Sequence, residues 1–365
     1  MNKQVKIAVL EGDGIGPEIM VEALRVLRAV GDMCLVDFEC VPAPFGARAY
    51  FDHGKAFPEE TKKICDQADA ILKGPIGLSF EETKKIPVEE QPERGALLPL
   101  RKRYNTFANF RPVKLPAGLG AFSPLKKEVI ANGIDIMMIR ELVGGLYFGK
   151  KERTTNAEGL RSVTETLEYN EEQIKKIMHV AFEEAGRRKK ILHNVHKANV
   201  LMSSVLWNEI LEEVQKEYPD VTVEHILVDA AATALCIRPS QFDVMVMENM
   251  FGDILSDLGG GLLGSLGLMP SACIGDTISY YEPSHGSAPD IAGQNKANPY
   301  SMIGSVAMML ERSFGLKKES DRVWQSMTTV LSSGYTTVDL TAYDKTLKVV
   351  STREFGDKVL EKLKN

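Results

Sequence analysis

Short apolar runs alternate with amphipathic stretches along most of the chain, which is the pattern of an α/β protein. Ile7–Leu10 reads as a strand, and Pro17–Val30, opened by Gly-Pro, as an amphipathic helix. Leu35–Cys40 predicts a second strand, Pro58–Asp66 a helix, and Ala70–Lys73 a third strand stopped at Gly74-Pro75. Residues 76–94, rich in Glu, Lys and Pro, read as a long surface loop, and loops of that length are usually functional. Strands follow at Phe107–Val113 and Ile134–Ile139. Residues 150–168 alternate Thr and Ser with charges and predict a projecting β-arm. Helices at Glu171–Arg188 and Val205–Glu217 then alternate with strands at Ile191–Val195, Val221–Val228 and Phe242–Met247. Helical patterns at Pro299–Ser313, at Ser320–Ser332 and after Thr352 complete the reading.

The chain has 365 residues, a length at which single cores usually give way to two lobes. Apolar content of 44% and charged content of 26% are ordinary for a globular protein. A net charge of −6 argues against nucleic acid as a partner, because that affinity comes from neutralising phosphates. No segment is long and apolar enough to span a bilayer, so no membrane role is expected. Residues 1–6 run directly into the first strand without a leader pattern, which points to the cytoplasm. Cysteines 34, 40, 65, 236 and 273 show no metal or redox spacing and read as free thiols.

The most telling segment is Glu248-Asn249-Met250-Phe251-Gly252-Asp253-Ile254-Leu255-Ser256-Asp257. It follows an apolar strand and turns helical, so Asp253 and Asp257 share one helix face. Two carboxylates that close call for a positive partner, and hard oxygen donors suggest Mg²⁺ or Mn²⁺. A charge pair favoured by the helix dipole is the alternative. Gly12-Asp13-Gly14-Ile15-Gly16-Pro17 lies where phosphate loops lie, but it lacks both the dinucleotide spacing and a phosphate-binding lysine. A tight strand-to-helix turn is the better reading. In Ser284–Gly293, Gly286 permits close approach of a ligand, His285 and Ser287 can donate hydrogen bonds, and Asp290 can accept from ribose hydroxyls.

Together with Arg140–Gly149 and Lys197-Ala198-Asn199-Val200, these segments resemble, in the same order and over nearly the whole chain, the β-decarboxylating dehydrogenases of the isocitrate/isopropylmalate dehydrogenase family. The resemblance implies a two-domain α/β fold that is not a Rossmann fold, with a dimer-forming β-arm. The cofactor-binding domain would take residues 1–106 and 265–365. The substrate, metal and dimerisation domain would take 107–264, with the arm at about 150–168. The implied reaction is the oxidative decarboxylation of a malate derivative with NAD⁺ and one Mg²⁺ or Mn²⁺ per site. The resemblance assigns Tyr147 and Lys197 as catalytic residues, and Asp229, Asp253 and Asp257 as metal ligands. It assigns substrate contacts to Arg101, Arg111, Arg140, Asp229, Glu93, Leu97, Leu98 and Val200. Cofactor contacts fall on Glu282, His285, Gly286, Ser287, Ala288, Asp290 and Asn298. In a homodimer with shared sites, Lys197 and Asp229 come from the neighbouring subunit.

The chemistry accounts for these residue types. A dicarboxylate suits planar bidentate guanidinium groups. A lysine serves as a base near neutral pH only where cations depress its pKa. Leu97 and Leu98 would favour a branched alkyl group at C3 by about 1.5–3 kcal/mol on full burial. A third carboxylate there would be desolvated at a cost of several kcal/mol. The pocket therefore favours an alkylmalate, isopropylmalate above homoisocitrate or D-malate. Asp290 accepts from a free 2′-hydroxyl and repels a 2′-phosphate, which selects NAD⁺. Two features depart from the isopropylmalate pattern: His196 precedes Lys197 where Asp is usual, and Lys73-Gly74-Pro75 looks more like the isocitrate branch.

Overall fold

The computed structural model describes residues 3–364. Its strands are β1 (Lys3–Leu10), β2 (Val36–Pro42), β3 (Ala70–Lys73), β4 (Ala108–Leu115), β5 (Ile134–Glu141), β6 (Lys151–Thr155), β7 (Arg161–Glu165), β8 (Ile191–His196), β9 (Thr222–Leu227), β10 (Val244–Met247), β11 (Pro270–Ile274), β12 (Tyr280–Pro283), β13 (Tyr335–Thr336) and β14 (Lys348–Val349). Its α-helices are α1 (Gly16–Cys34), α2 (Ala47–His53), α3 (Glu59–Asp66), α4 (Phe80–Thr83), α5 (Leu98–Tyr104), α6 (Glu171–Arg187), α7 (Met202–Gln215), α8 (Val228–Ile237), α9 (Asn249–Leu263), α10 (Tyr300–Arg312), α11 (Lys317–Ser332) and α12 (Thr352–Lys364).

Ten strands form one sheet in the order β2-β1-β3-β12-β11-β4-β5-β10-β8-β9. Its two wings are parallel, while β12, β11, β4 and β5 run antiparallel to one another in sequence across the centre. This is the α/β architecture expected, and its mixed centre separates it from a doubly wound dinucleotide fold. Strands from 1–106 and 265–365 occupy one half of the sheet and strands from 107–264 the other, meeting where β11 pairs with β4. Parallel wings need both faces covered, and their strands accordingly carry continuous apolar runs such as Val244–Met247, buried throughout. α1 covers one face with Ile19, Met20, Ala23, Val26, Leu27 and Val30. α10 is buried from Tyr300 to Leu310 because it packs between β11, β12 and the outer helices.

The expected arm is present as the hairpin β6–β7, exposed at every residue. The loop expected at 76–94 holds more structure than its composition suggests. Ser79 caps α4 in a reciprocal box with Glu82. A π-helical turn at Pro92–Leu97 then runs directly into α5, where Pro99 sits at a helix start that tolerates the missing N–H. The turn at 12–16 is the tight connector anticipated. Buried Asp13 accepts from the backbone N–H groups of Ala47, Arg48 and Gly77 at 2.9–3.0 Å, which ties three loops together. Among the described residues no helix is long and apolar enough to cross a membrane. All five cysteines are unpaired.

Candidate active site

β3, β5 and β12 all end at one cavity of about 380 Å³, at the carboxyl ends of parallel-wing strands where α/β proteins bind ligands. The three predicted arginines meet there. Arg140, at the end of β5, donates from Nε and Nη2 to Asn249 Oδ1 at 3.0 and 2.7 Å, and its Nη1 pairs with Asp253. Arg111 on β4 donates to Asn109 Oδ1 at 2.9 Å, Ser256 Oγ at 2.7 Å and Asp257 Oδ1 at 3.0 Å. Arg101 on α5 donates from Nε to the Tyr280 hydroxyl at 3.0 Å. All three are buried, and each is held in one geometry by fixed partners. Burial and the neighbouring Arg111 push Arg140 down to about 10.

Asp253 and Asp257 lie one turn apart on α9, as expected. The positive groups beside them are the arginines. Burial raises the Asp253 pKa, but Arg140 and Arg111 outweigh it and hold the carboxyl below its usual range. Asp257 is held above that range by burial, against the pull of Arg111. The helix can lie this close to β5 because residue 252 is glycine. A Cβ there would stand 2.5 Å from the Arg140 side chain. Tyr147 follows on a 3₁₀ turn and donates to Asp253 Oδ2 at 2.8 Å. Burial and Asp253 push its phenol up to about 12, so it stays protonated. Glu93, Leu97 and Leu98 line the same cavity.

The remaining assigned residues divide into two groups. Glu282, His285 and Gly286 line the clamp cavity. A second cavity of about 280 Å³ begins at His285 and Gly286 and continues along Ala288, Ile291 and Asn298. Ser284 Oγ, in the wall of the clamp cavity, and His285 Nε2, on a residue shared by both cavities, are buried without a hydrogen-bond partner. His285 Nδ1 faces the Gly286 carbonyl at 2.8 Å, which makes Nε2 an acceptor on a neutral ring. Two unsatisfied polar atoms in a groove joining both cavities fit a polar cofactor. Ser287 directs its hydroxyl at the Gly77 carbonyl instead, at 2.7 Å, while its own carbonyl takes the Ile15 N–H. Asp290 lines neither cavity and is exposed.

Lys197, Asp229 and Val200 are not brought to the cavity. They lie just past β8 and at the start of α8, where Lys197 Nζ pairs with Asp229 Oδ1 at 2.7 Å and Val200 is 69% exposed. Among the described residues no three His, Cys, Asp or Glu side chains form a complete metal cluster. One chain thus presents two carboxylates on α9 and a third, Asp229, apart from them. His196 Nδ1 accepts from the Ala198 N–H at 3.2 Å, and burial together with His225 holds the ring below its usual pKa, hence neutral.

Three contributors carried no assignment in the sequence. Asn249 orients Arg140, and Asn109 orients Arg111. Lys73 is a buried ammonium in the cavity wall, 2.6 Å from Glu282. A lysine closing an apolar strand just before Gly-Pro was the available signal for it.

Comparison with known proteins adds independent observations. The family profile described as isocitrate/isopropylmalate dehydrogenase matches residues 6–359. The 3-isopropylmalate dehydrogenase of Geobacter sulfurreducens is 48% identical over 364 residues, covering 100% of both chains. That of Aquifex aeolicus is 46% identical over 361 residues, 99% of this chain and 98% of that protein. Among solved structures, isocitrate dehydrogenase from Methylococcus capsulatus superposes with a TM-score of 0.86 at 32% identity, covering 99% of this chain and 100% of the other.

Proposed function

The chain belongs to the isocitrate/isopropylmalate dehydrogenase family, and from that we infer that it oxidises and decarboxylates (2R,3S)-3-isopropylmalate to 2-oxo-4-methylpentanoate and CO₂ with reduction of NAD⁺, a step of leucine synthesis. The observation that carries the substrate is the placing of Leu97 and Leu98 in the wall of the cavity that holds Arg101, Arg111 and Arg140. Two carboxylates and one branched alkyl group match that lining. Lys73 does not offer a free charge to a third carboxylate, because Glu282 already neutralises it.

The clamp arginines bind and orient the substrate carboxylates, displacing part of their contact with Asp253 and Asp257. Lys197 of a second copy takes the C2 hydroxyl proton as the C2 hydride leaves. Carbon dioxide departs from the β-carboxylate, and Tyr147, protonated at neutral pH, returns a proton to C3 of the enol. When bound, a Mg²⁺ or Mn²⁺ held by Asp253, Asp257 and a second copy's Asp229 supplies Lewis acidity at the C2 oxygen, and NAD⁺ in the 284–298 groove supplies the hydride acceptor. The homodimer follows from this division of labour. Asp229 and Val200 are exposed and Lys197 half-buried in one chain, and they gain a role only beside another. We assign the lobes as 1–106 with 265–365 for the cofactor and 107–264 for substrate, metal and dimerisation, the β6–β7 arm reaching the neighbour.

Initial rates on isopropylmalate, homoisocitrate, isocitrate and D-malate, with NAD⁺ or NADP⁺ and with or without EDTA, test the reading. Isopropylmalate should lead in kcat/KM by at least about tenfold, with NAD⁺ preferred and EDTA abolishing turnover. A preference for isocitrate or homoisocitrate would overturn the substrate.

A further inference from the structure

Tyr169, between the arm and α6, has no part in the assignments above, yet it touches every element that carries the proton donor. Its hydroxyl donates to Glu141 Oε2 at 3.0 Å, accepts from the Asn249 N–H at 3.0 Å, and stands 3.4 Å from Glu248 Oε2. Its ring lies against the turn before Tyr147. A Cβ on Gly144 would come within 2.5 Å of the ring, so this turn can carry no side chain there. Trp207 closes the other side edge-on, with centroids 5.7 Å apart.

We propose that Tyr169 is a positioning residue for Tyr147, its hydroxyl fixing the turn that presents the phenol and the first turn of α9 that faces it. The proposal rests on the reaction inferred above. Glu141 is buried with no cation beside it, and it accepts from the N–H groups of Val143 and Gly144, both at 2.9 Å, and from Tyr169. The phenol supplies the one side-chain donor in that set. Glu248 caps α9 by accepting from Met250 and Phe251. The hydroxyl has a single proton and gives it to Glu141. Glu248 Oε2 lies at 3.4 Å as a second, longer acceptor beside the same hydroxyl. The chain Glu248 to Tyr169 to Glu141 joins the α9 cap to the Tyr147 turn. Asn249 closes the loop: its backbone is held by Tyr169, its Oδ1 holds Arg140, and its Nδ2 donates to the Gly144 carbonyl at 3.0 Å. Loss of the hydroxyl leaves the ring packing in place and frees the turn. The effect should fall on protonation at C3, a step that follows NADH formation.

Tyr169→Phe in the full-length protein tests this with isopropylmalate, NAD⁺ and Mg²⁺. We expect kcat to fall by about 30–100-fold, up to the low end of the roughly 10²–10⁴-fold that a positioned general acid carries, with KM within about threefold. Rapid mixing should show an NADH burst near one equivalent per site before slow turnover, and the melting temperature should stay within a few degrees. A kcat for Tyr169→Phe within twofold of wild type, or a loss that falls on KM or on the burst itself, overturns the proposal. If the wild-type protein prefers another 3-carboxy-2-hydroxy acid, the inferred reaction fails, while the same kcat and burst measurements with that acid still decide the role of Tyr169.

Discussion

The two halves of the proposed catalytic machinery in this chain are built in opposite ways. Arg101, Arg111 and Arg140 are buried, and each is anchored by neighbours. Lys197 and Asp229 meet on an exposed face, with no contact to that cavity. A buried guanidinium must be paired and hydrogen-bonded wherever it sits, so the clamp is complete within one fold. An ion pair this open to solvent is screened by water and contributes little to stability, so stability alone does not explain it. The contrast separates a buried, preformed cluster from an accessible ion pair, and under the proposed reading the second awaits a second molecule.

The largest expected effect breaks the buried half. Arg140→Ala removes the partner of Asn249 and Asp253 together with the carboxylate contact. Truncating one member of a buried charge pair costs about 2–5 kcal/mol, so kcat/KM should drop by about 30- to 4,000-fold. Steady-state kinetics showing less than a tenfold loss would leave Arg140 a merely structural residue. The exposed half is tested by mixing inactive Lys197→Ala and Tyr147→Phe chains after subunit exchange. Random pairing makes half the dimers mixed, each with one intact site, so about a quarter of wild-type activity should return. No recovery, with exchange demonstrated by labelled chains, would place both residues in one chain's site. The smallest effect sharpens the apolar wall. Leu97→Ala should lower kcat/KM for isopropylmalate by about tenfold and leave the rate on unbranched D-malate nearly unchanged. Equal losses on both substrates would remove Leu97 from the alkyl pocket.

Legibility in the sequence followed the length and periodicity of each element. α6, with a long amphipathic face, and β3, an unbroken apolar run before Gly-Pro, were readable almost to the residue, while α1, expected over Pro17–Val30, runs four residues further to Cys34. β11 and β12 were not, because strands of five and four residues between loops carry too few positions to show a period. α5 was hidden behind Pro99, which marks a helix start as often as a break. In the site, motif order singled out the arginines and aspartates, and the structure brings the arginines together with Asp253. Their supports escaped notice, since Asn109, Asn249 and Lys73 act through hydrogen bonds to residues far along the chain. Nor could spacing alone show that Lys197 and Asp229 lie apart from the clamp.

The late arrival of the central strands has a consequence for how the chain is made. When residues 1–265 have left the ribosome, eight of the ten strands exist, but they form two separate groups, β2-β1-β3 and β4-β5-β10-β8-β9. The facing edges, β3 and β4, stay open until β11 and β12 emerge and slide between them. Open edges of that kind invite pairing with other chains. The interval between residues 265 and 283 is therefore the stretch of synthesis in which the nascent protein is most exposed to misassembly. α10, the helix that seals β11 and β12, follows within a few tens of residues and ends that interval.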